Sequence, residues 1–166
     1  MRHNVQNLKP LSPTSEMEPS FSYPHYALAW LDLGPGGPQA SASFQQYRVE
    51  VRDLHADSFG ASRHTSAMLL RSPQSHWYAG LYQSHVIACC AVKNGLLSDF
   101  CVAKTHRRKG VGRWLLRHLP RHLVARVEDG TRHFYESSGF HMVPRVHHPE
   151  AARWESMWAK LVWMQR

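Results

Sequence analysis

From Gln46 onward the apolar positions recur in short alternating or helically spaced runs, and their succession predicts an order of elements. Tyr47 to Val51 alternates and reads as a first strand, and Asp53 to Leu70 reads as helical material broken at Gly60. His76 to Tyr82 and Val86 to Val92 are strand-like runs joined by Gln83-Ser84-His85, hence a hairpin. Leu96 to Val102 follows across the turn pair Asn94-Gly95 as the next strand of a meander. Val111, Leu115 and Leu119 then repeat at helical spacing while Arg113, Arg117 and Arg121 occupy another face, which predicts a half-buried helix over about Gly112 to Leu119. Leu123 to Val127 reads as a short strand and Thr131 to Ser138 as a helix that Gly139 ends. Phe140 to Val143 and Glu155 to Trp163 form a closing antiparallel pair around an exposed loop at His147-His148-Pro149. The fold class this order predicts is α/β, with a central, mostly antiparallel mixed sheet flanked by helices.

The patterning changes near residue 45, which divides the chain into an extension over 1–45 and a domain over 46–166. Pro10, Pro13, Pro19, Pro24, Pro35 and Pro38, with Gly34, Gly36, Gly37 and several serines, leave the extension too little regular apolar surface for a core of its own. One run inside it, Tyr26 to Leu33, is apolar enough to dock on the domain or on a partner.

The chemistry concentrates where the meander meets the helix. Val102 to Gly112, VAKTHRRKGVG, takes the chain from a strand through a basic loop directly into a helix N-terminus. The first amides of a helix have no intrahelical acceptor and the macrodipole is positive there, so an anion is favoured. Arg107, Arg108 and Lys109 add charge, and Gly110 and Gly112 leave the backbone open to close approach. A solvated charge run at a helix start is the competing account of the same residues.

A second motif, Phe134-Tyr135-Glu136-Ser137-Ser138-Gly139-Phe140, stands downstream. Arg107-x-x-Gly110-x-Gly112 followed by FYESSGF resembles the paired signature of the GCN5-related N-acetyltransferases (GNATs), over roughly the last two thirds of the chain. The resemblance implies the acyl-CoA N-acyltransferase fold and acetyl-CoA as co-substrate. It implies that the backbone at Phe100, Cys101 and Val102 pairs with the pantetheine arm. It also implies that Arg107, Arg108, Lys109, Gly110, Val111, Gly112 and Arg113 hold the pyrophosphate. Tyr135 falls where many members keep a tyrosine that protonates the leaving thiolate. Many also place a glutamate early on the preceding strand, where this chain has Leu96 and Leu97. Asp99 is the carboxylate on that strand, set by alternation on the opposite face from Ser98 and Phe100, and Glu128 stands where relatives often have an asparagine. Asp99 and Glu128 are the candidates for a general base, each also readable as a surface or ion-paired acid.

Composition narrows the partners. The chain carries a formal charge of +8, yet its basic residues gather around the loop and the helix after it, so a nucleic-acid partner rests on charge alone and ranks last. No apolar run approaches the ~20 residues of a membrane span, and no secretory signal opens the sequence, so the expectation is a cytoplasmic protein. Thirteen histidines scatter without a zinc-helix spacing, and Cys89 and Cys90 face opposite sides of a strand while Cys101 sits alone, so no metal site is expected. Trp154, Trp158 and Trp163 read as packing under the closing hairpin or as an aromatic wall for an acceptor. The functional expectation is an acetyl-CoA-dependent N-acetyltransferase acting on a primary amine of a small molecule or peptide. The alternative is a weakly catalytic acetyl-CoA-binding regulator with a protein partner, since GLLSDFCVAKTHRRKGVGRWLL and HWYAGLYQSHVIACCAV also resemble the maturation factors of aspartate decarboxylase.

Overall fold

A computed structural model describes residues 28–37, 40–143 and 162–166. Seven strands form one sheet: β1 (Leu28–Pro35), β2 (His76–Tyr82), β3 (His85–Lys93), β4 (Leu96–Val102), β5 (Val124–Val127), β6 (His141–Met142) and β7 (Val162–Gln165). Their spatial order is β1-β2-β3-β4-β5-β7-β6, and β4 with β5 is the parallel pair in an otherwise antiparallel sheet. Helices α1 (Ala42–Phe59) and α2 (Arg63–Leu70) cover one face, while α3 (Val111–His118) and the short α4 (Arg132–Glu136) lie on the other.

The meander forms where its turns allow it. Gln83 and Ser84 have φ of 50° and 64°, and Asn94 and Gly95 have 50° and 80°. Two consecutive positive values are what a two-residue hairpin turn needs if its twist is to match the strands. The resulting strands are buried on both faces, and successive residues divide between two cores. Cys89 packs with Leu33, Phe44, Val51, Leu54, Trp77 and Cys101 under α1 and α2. Cys90 packs with Leu97, Val111, Leu115, Leu116, Leu123 and Phe140 under α3.

One expectation about the N-terminal half is overturned. Tyr47 to Val51 is not a strand but the middle of α1, whose N-cap Ser41 accepts a hydrogen bond from the Phe44 amide at 3.1 Å. Phe44, Val51, Leu54 and His55 line its buried face, whereas Val49, the centre of the apparent alternation, is 55% exposed. The division expected at residue 45 therefore falls inside α1. The apolar run of the extension supplies β1, which pairs with β2 from Leu28↔Tyr82 to Pro35↔His76 and buries Leu33 completely. Its Asp32 to Gly34 irregularity explains why a run so rich in turn residues still completes a sheet edge.

The remaining elements follow the pattern within a residue or two at their ends, with α4 preceded by a 3-10 turn at Asp129–Thr131. Of the expected strand Glu155 to Trp163, residues 155–161 lie outside the described residues, as do Tyr26, Trp154, Trp158 and the loop at His147-His148-Pro149. Among the described residues no helix is long and apolar enough to cross a membrane.

Leu115 is fully buried between α3 and the sheet. Leu115→Ala is expected to cost about 2–5 kcal/mol through lost transfer energy and the cavity left behind. Chemical denaturation of the two proteins, compared at equal slope, measures it.

Candidate active site

The site begins as an irregularity in β4. Cys89 pairs with Cys101 and Ala91 with Ser98, so Asp99 and Phe100 together stand opposite the single residue Cys90. This is a β-bulge, and Asp99 takes it up with a φ of 51°. Strict alternation fails there. Asp99, expected opposite Ser98, instead accepts a hydrogen bond from the Ser98 hydroxyl at 2.7 Å and meets the His55 Nε2 of α1 at 3.1 Å. Phe100 turns to the other face, toward α3 and α4.

The bulge coincides with an opening in the sheet. The β4–β5 ladder runs through Leu96↔Val124 and Leu97↔Ala125, after which β5 continues along β7 up to Val127↔Val162. From Ser98 to Val102 the β4 edge therefore has no strand beside it among the described residues. Backbone donors and acceptors on such an edge suit an extended ligand that carries amides of its own. Glu128 directly follows β5, three residues beyond the Ala125 at which the pairing with β4 ends. Its side chain is exposed, and its carbonyl accepts from the Thr131 amide at 2.8 Å and the Thr131 hydroxyl at 2.9 Å.

Beyond Val102 the chain makes a 3-10 turn over Lys104–His106 and then the basic loop. Gly110, with φ 79°, caps α3 in a left-handed conformation that a side chain would strain. The first helical bond runs from the Trp114 amide to the Gly110 carbonyl at 2.9 Å. The amides of Val111, Gly112 and Arg113 precede it and have no helical acceptor. Arg107, Arg108, Lys109 and Arg113 are exposed around them. The Arg107 Nε donates to the Val102 carbonyl at 2.9 Å, tying the loop to the end of β4, and Arg113 reaches Ser137 Oγ at 3.3 Å. Burial and the Lys109 ammonium hold His106 below the ordinary histidine range, so the loop's charge at neutral pH comes from its arginines and lysine. Val111 and Cys101 are buried side chains, which leaves only their backbone available to a ligand.

Gly112 does more than open the backbone. A Cβ on it would lie 3.1 Å from Phe134 Cζ and 3.4 Å from Phe100 Cε1, so the two rings already use the space. Those rings belong to a cluster in which Tyr135 meets Phe100, Phe134 and Phe140 edge-on, with centroids 6.4, 5.1 and 5.3 Å apart. Tyr135 is thereby brought beside Phe100 at the opening. Burial, with Cys90 adding to it, pushes its phenol well above the ordinary tyrosine range, so it stays protonated at neutral pH.

Two features escaped the reading of the sequence. Cys101 is not alone, since its Sγ lies 3.3 Å from Cys89 Sγ across the β3–β4 pair. A Cys89 thiol donating to Cys101 pushes Cys89 up and holds Cys101 below the ordinary thiol range. The other is His55 with Ser66, hidden because the segment before His55 alternates like a strand. The signal was available: His55 follows Val51 by one helical turn, on the same buried face.

Residues 73–142 match the family model described as the acetyltransferase (GNAT) domain. No curated protein matches the chain. Among solved structures, Escherichia coli ElaA is similar over 84% of this chain and 99% of its own, with 16% identity and a TM-score of 0.57. An acyl-CoA N-acyltransferase from Pseudomonas aeruginosa is similar over 84% of this chain and 99% of its own, with 12% identity and a TM-score of 0.58. N-acetylglutamate synthase from Neisseria gonorrhoeae, complexed with coenzyme A and N-acetyl-glutamate, aligns with 84% of this chain and 34% of its own, with 13% identity and a TM-score of 0.57. The segment that matches the acetyltransferase (GNAT) domain model spans β2 to β6 and contains the bulge, the opening, the basic loop and Tyr135, and the solved structures share the fold over most of the chain.

Proposed function

We propose that this domain binds acetyl-CoA along the free edge of β4 and at the N-terminus of α3, and transfers the acetyl group to a primary amine. The parting of β4 from β5 at the bulge, directly beside the amides of α3, carries the reading. One feature offers backbone pairing to an amide-bearing arm and the other offers donors and positive charge to its diphosphate. The similar Neisseria enzyme is complexed with coenzyme A, which supports a coenzyme A thioester as the ligand. Phe100, Cys101 and Val102 serve the arm through their backbone, and residues 107–113 serve the diphosphate.

Acetyl-CoA supplies a thioester carbon that an amine nitrogen attacks, so that an N–C bond forms and the C–S bond breaks. The amine must first lose a proton, and Asp99 receives it, with Glu128 just after β5 as the second candidate. Tyr135 donates a proton to the departing sulfur, and its raised pKa keeps that proton in place before the reaction. One proton leaves the acceptor and one reaches the thiol. The absence of a glutamate at Leu96 and Leu97 is thus offset by a carboxylate at Asp99, two residues beyond Leu97, which the bulge redirects.

Acetyl-CoA is expected to raise the melting temperature, because a ligand of the native state stabilises it by RT ln(1 + [L]/Kd). No shift at millimolar acetyl-CoA sinks the proposal. Gly112→Val, which displaces the Phe134 and Phe100 rings, is expected to weaken acetyl-CoA about tenfold or more, read by calorimetry. Thiol release measured against a panel of amines, amino acids and peptides tests transfer itself. Tyr135→Phe is expected to lower kcat about a hundredfold with acetyl-CoA affinity retained. Tight coenzyme binding with no turnover on any acceptor, and co-purification with a protein, favours the regulator instead.

A further inference from the structure

We infer that His55 is a positioning residue for the Asp99 carboxylate, holding it toward a protonated amine acceptor, an inference that rests on the transfer reading above. His55 is 3% exposed, and both its ring nitrogens are engaged. Nδ1 lies 2.9 Å from the hydroxyl of Ser66, a residue of α2 with no exposed surface, and Nε2 lies 3.1 Å from Asp99 Oδ1.

The arrangement has a direction. The ionised Asp99 carboxylate can only accept, which assigns the ring proton to Nε2, and the Nδ1 of that neutral tautomer accepts from the Ser66 hydroxyl. Ser98 donates to the other carboxylate oxygen at 2.7 Å. Asp99 is thus gripped at both oxygens while its side chain keeps 28% of its surface exposed. A carboxylate so held has its remaining lone pairs fixed toward the open side, where a cationic amine finds a placed acceptor. The positioning comes from rigid elements, α1, α2 and β4, and not from the loop. It is also needed, because Asp99 sits in a left-handed backbone conformation that gives its side chain no strand neighbour to lean on.

A histidine that only knitted α1 to the sheet would show the same contacts. Around the ring, Phe59 lies 4.7 Å and Trp77 6.5 Å away, both apolar contacts that an apolar replacement can keep. The two roles therefore separate on substitution.

The full-length protein is compared with His55→Leu, His55→Gln and Ser66→Ala. Gln preserves an N–H near the position of Nε2, whereas Leu fills space without a donor. The expected result is a kcat about a hundredfold lower in His55→Leu, with the acetyl-CoA Kd from calorimetry and the KM for the best amine of the panel changed by less than about threefold. His55→Gln recovers most of that kcat, and Ser66→Ala falls between. Native kcat in His55→Leu overturns the inference, and so does an equal loss in the Leu and Gln variants. Should His55→Leu fail to fold, Ser66→Ala decides: a lowered kcat with the acetyl-CoA Kd and amine KM kept supports the inference, and a native kcat overturns it. Turnover on no amine in the unaltered protein, despite acetyl-CoA binding, refutes the transfer reading and not the contact. Long-range proton–nitrogen correlation spectra of the imidazoles then decide: an Nε2-protonated His55 whose resonances change in Asp99→Ala supports the grip. A ring protonated on Nδ1, or unchanged in Asp99→Ala, overturns it.

Discussion

One extra residue in β4 sets the geometry on which the site depends. With Asp99 and Phe100 together opposite Cys90, the strand changes its facing within a single step. Asp99 reaches α1 through His55, and Phe100 reaches α3 and α4 through Gly112, Phe134 and Tyr135. A regular strand continuing from Leu97 would send Asp99 toward α3 and α4 and Phe100 toward α1 and α2. The bulge therefore exchanges the two, giving the acid to the layer of α1 and α2 and the aromatic ring to that of α3 and α4. It does so where β4 loses contact with β5.

Such a bulge is costly by itself, since a non-glycine residue with positive φ sits on the order of 1–3 kcal/mol above its relaxed conformation. What offsets it is local. Hydrogen bonds to charged groups contribute roughly 1.5–3 kcal/mol each, and Asp99 has one from Ser98 and one from His55. The network that compensates the strain is thus the network that orients the carboxylate. A variant that loses either bond exposes the strain as well as the acid.

Legibility in the sequence divides along the same line. The two hairpins and α3 were legible because Asn94-Gly95, the Gln83-Ser84 turn and the Val111, Leu115 spacing are decided within a few residues. The basic loop and Tyr135 were legible as a pair of motifs, and the structure brings both to the opening. The N-terminal part was not. Tyr47, Val49 and Val51 alternate, but the cap that starts α1, Ser41, lay in a segment that its prolines and glycines had set apart. The facing of Asp99 was beyond any local pattern, because a bulge is a mismatch in count between two strands and shows only when both are laid side by side. The Cys89–Cys101 contact is of the same kind, fixed by register and not by spacing.

The two cores meet at this strand, and that decides how the halves of the site communicate. Cys101 and Ser98 face the layer of α1 and α2, while Leu97, Phe100 and Val102 face that of α3 and α4. A shift of α1 is felt by Asp99 through His55, and a ligand seated against α3 is felt by Phe100 through its contact with Gly112. Asp99 and Phe100 are consecutive residues, so neither can move without turning the peptide between them. Close-packed interiors respond to such displacements as connected bodies and not as independent parts. The bulge is thus the point at which the two packed layers of the sheet are joined through a single peptide.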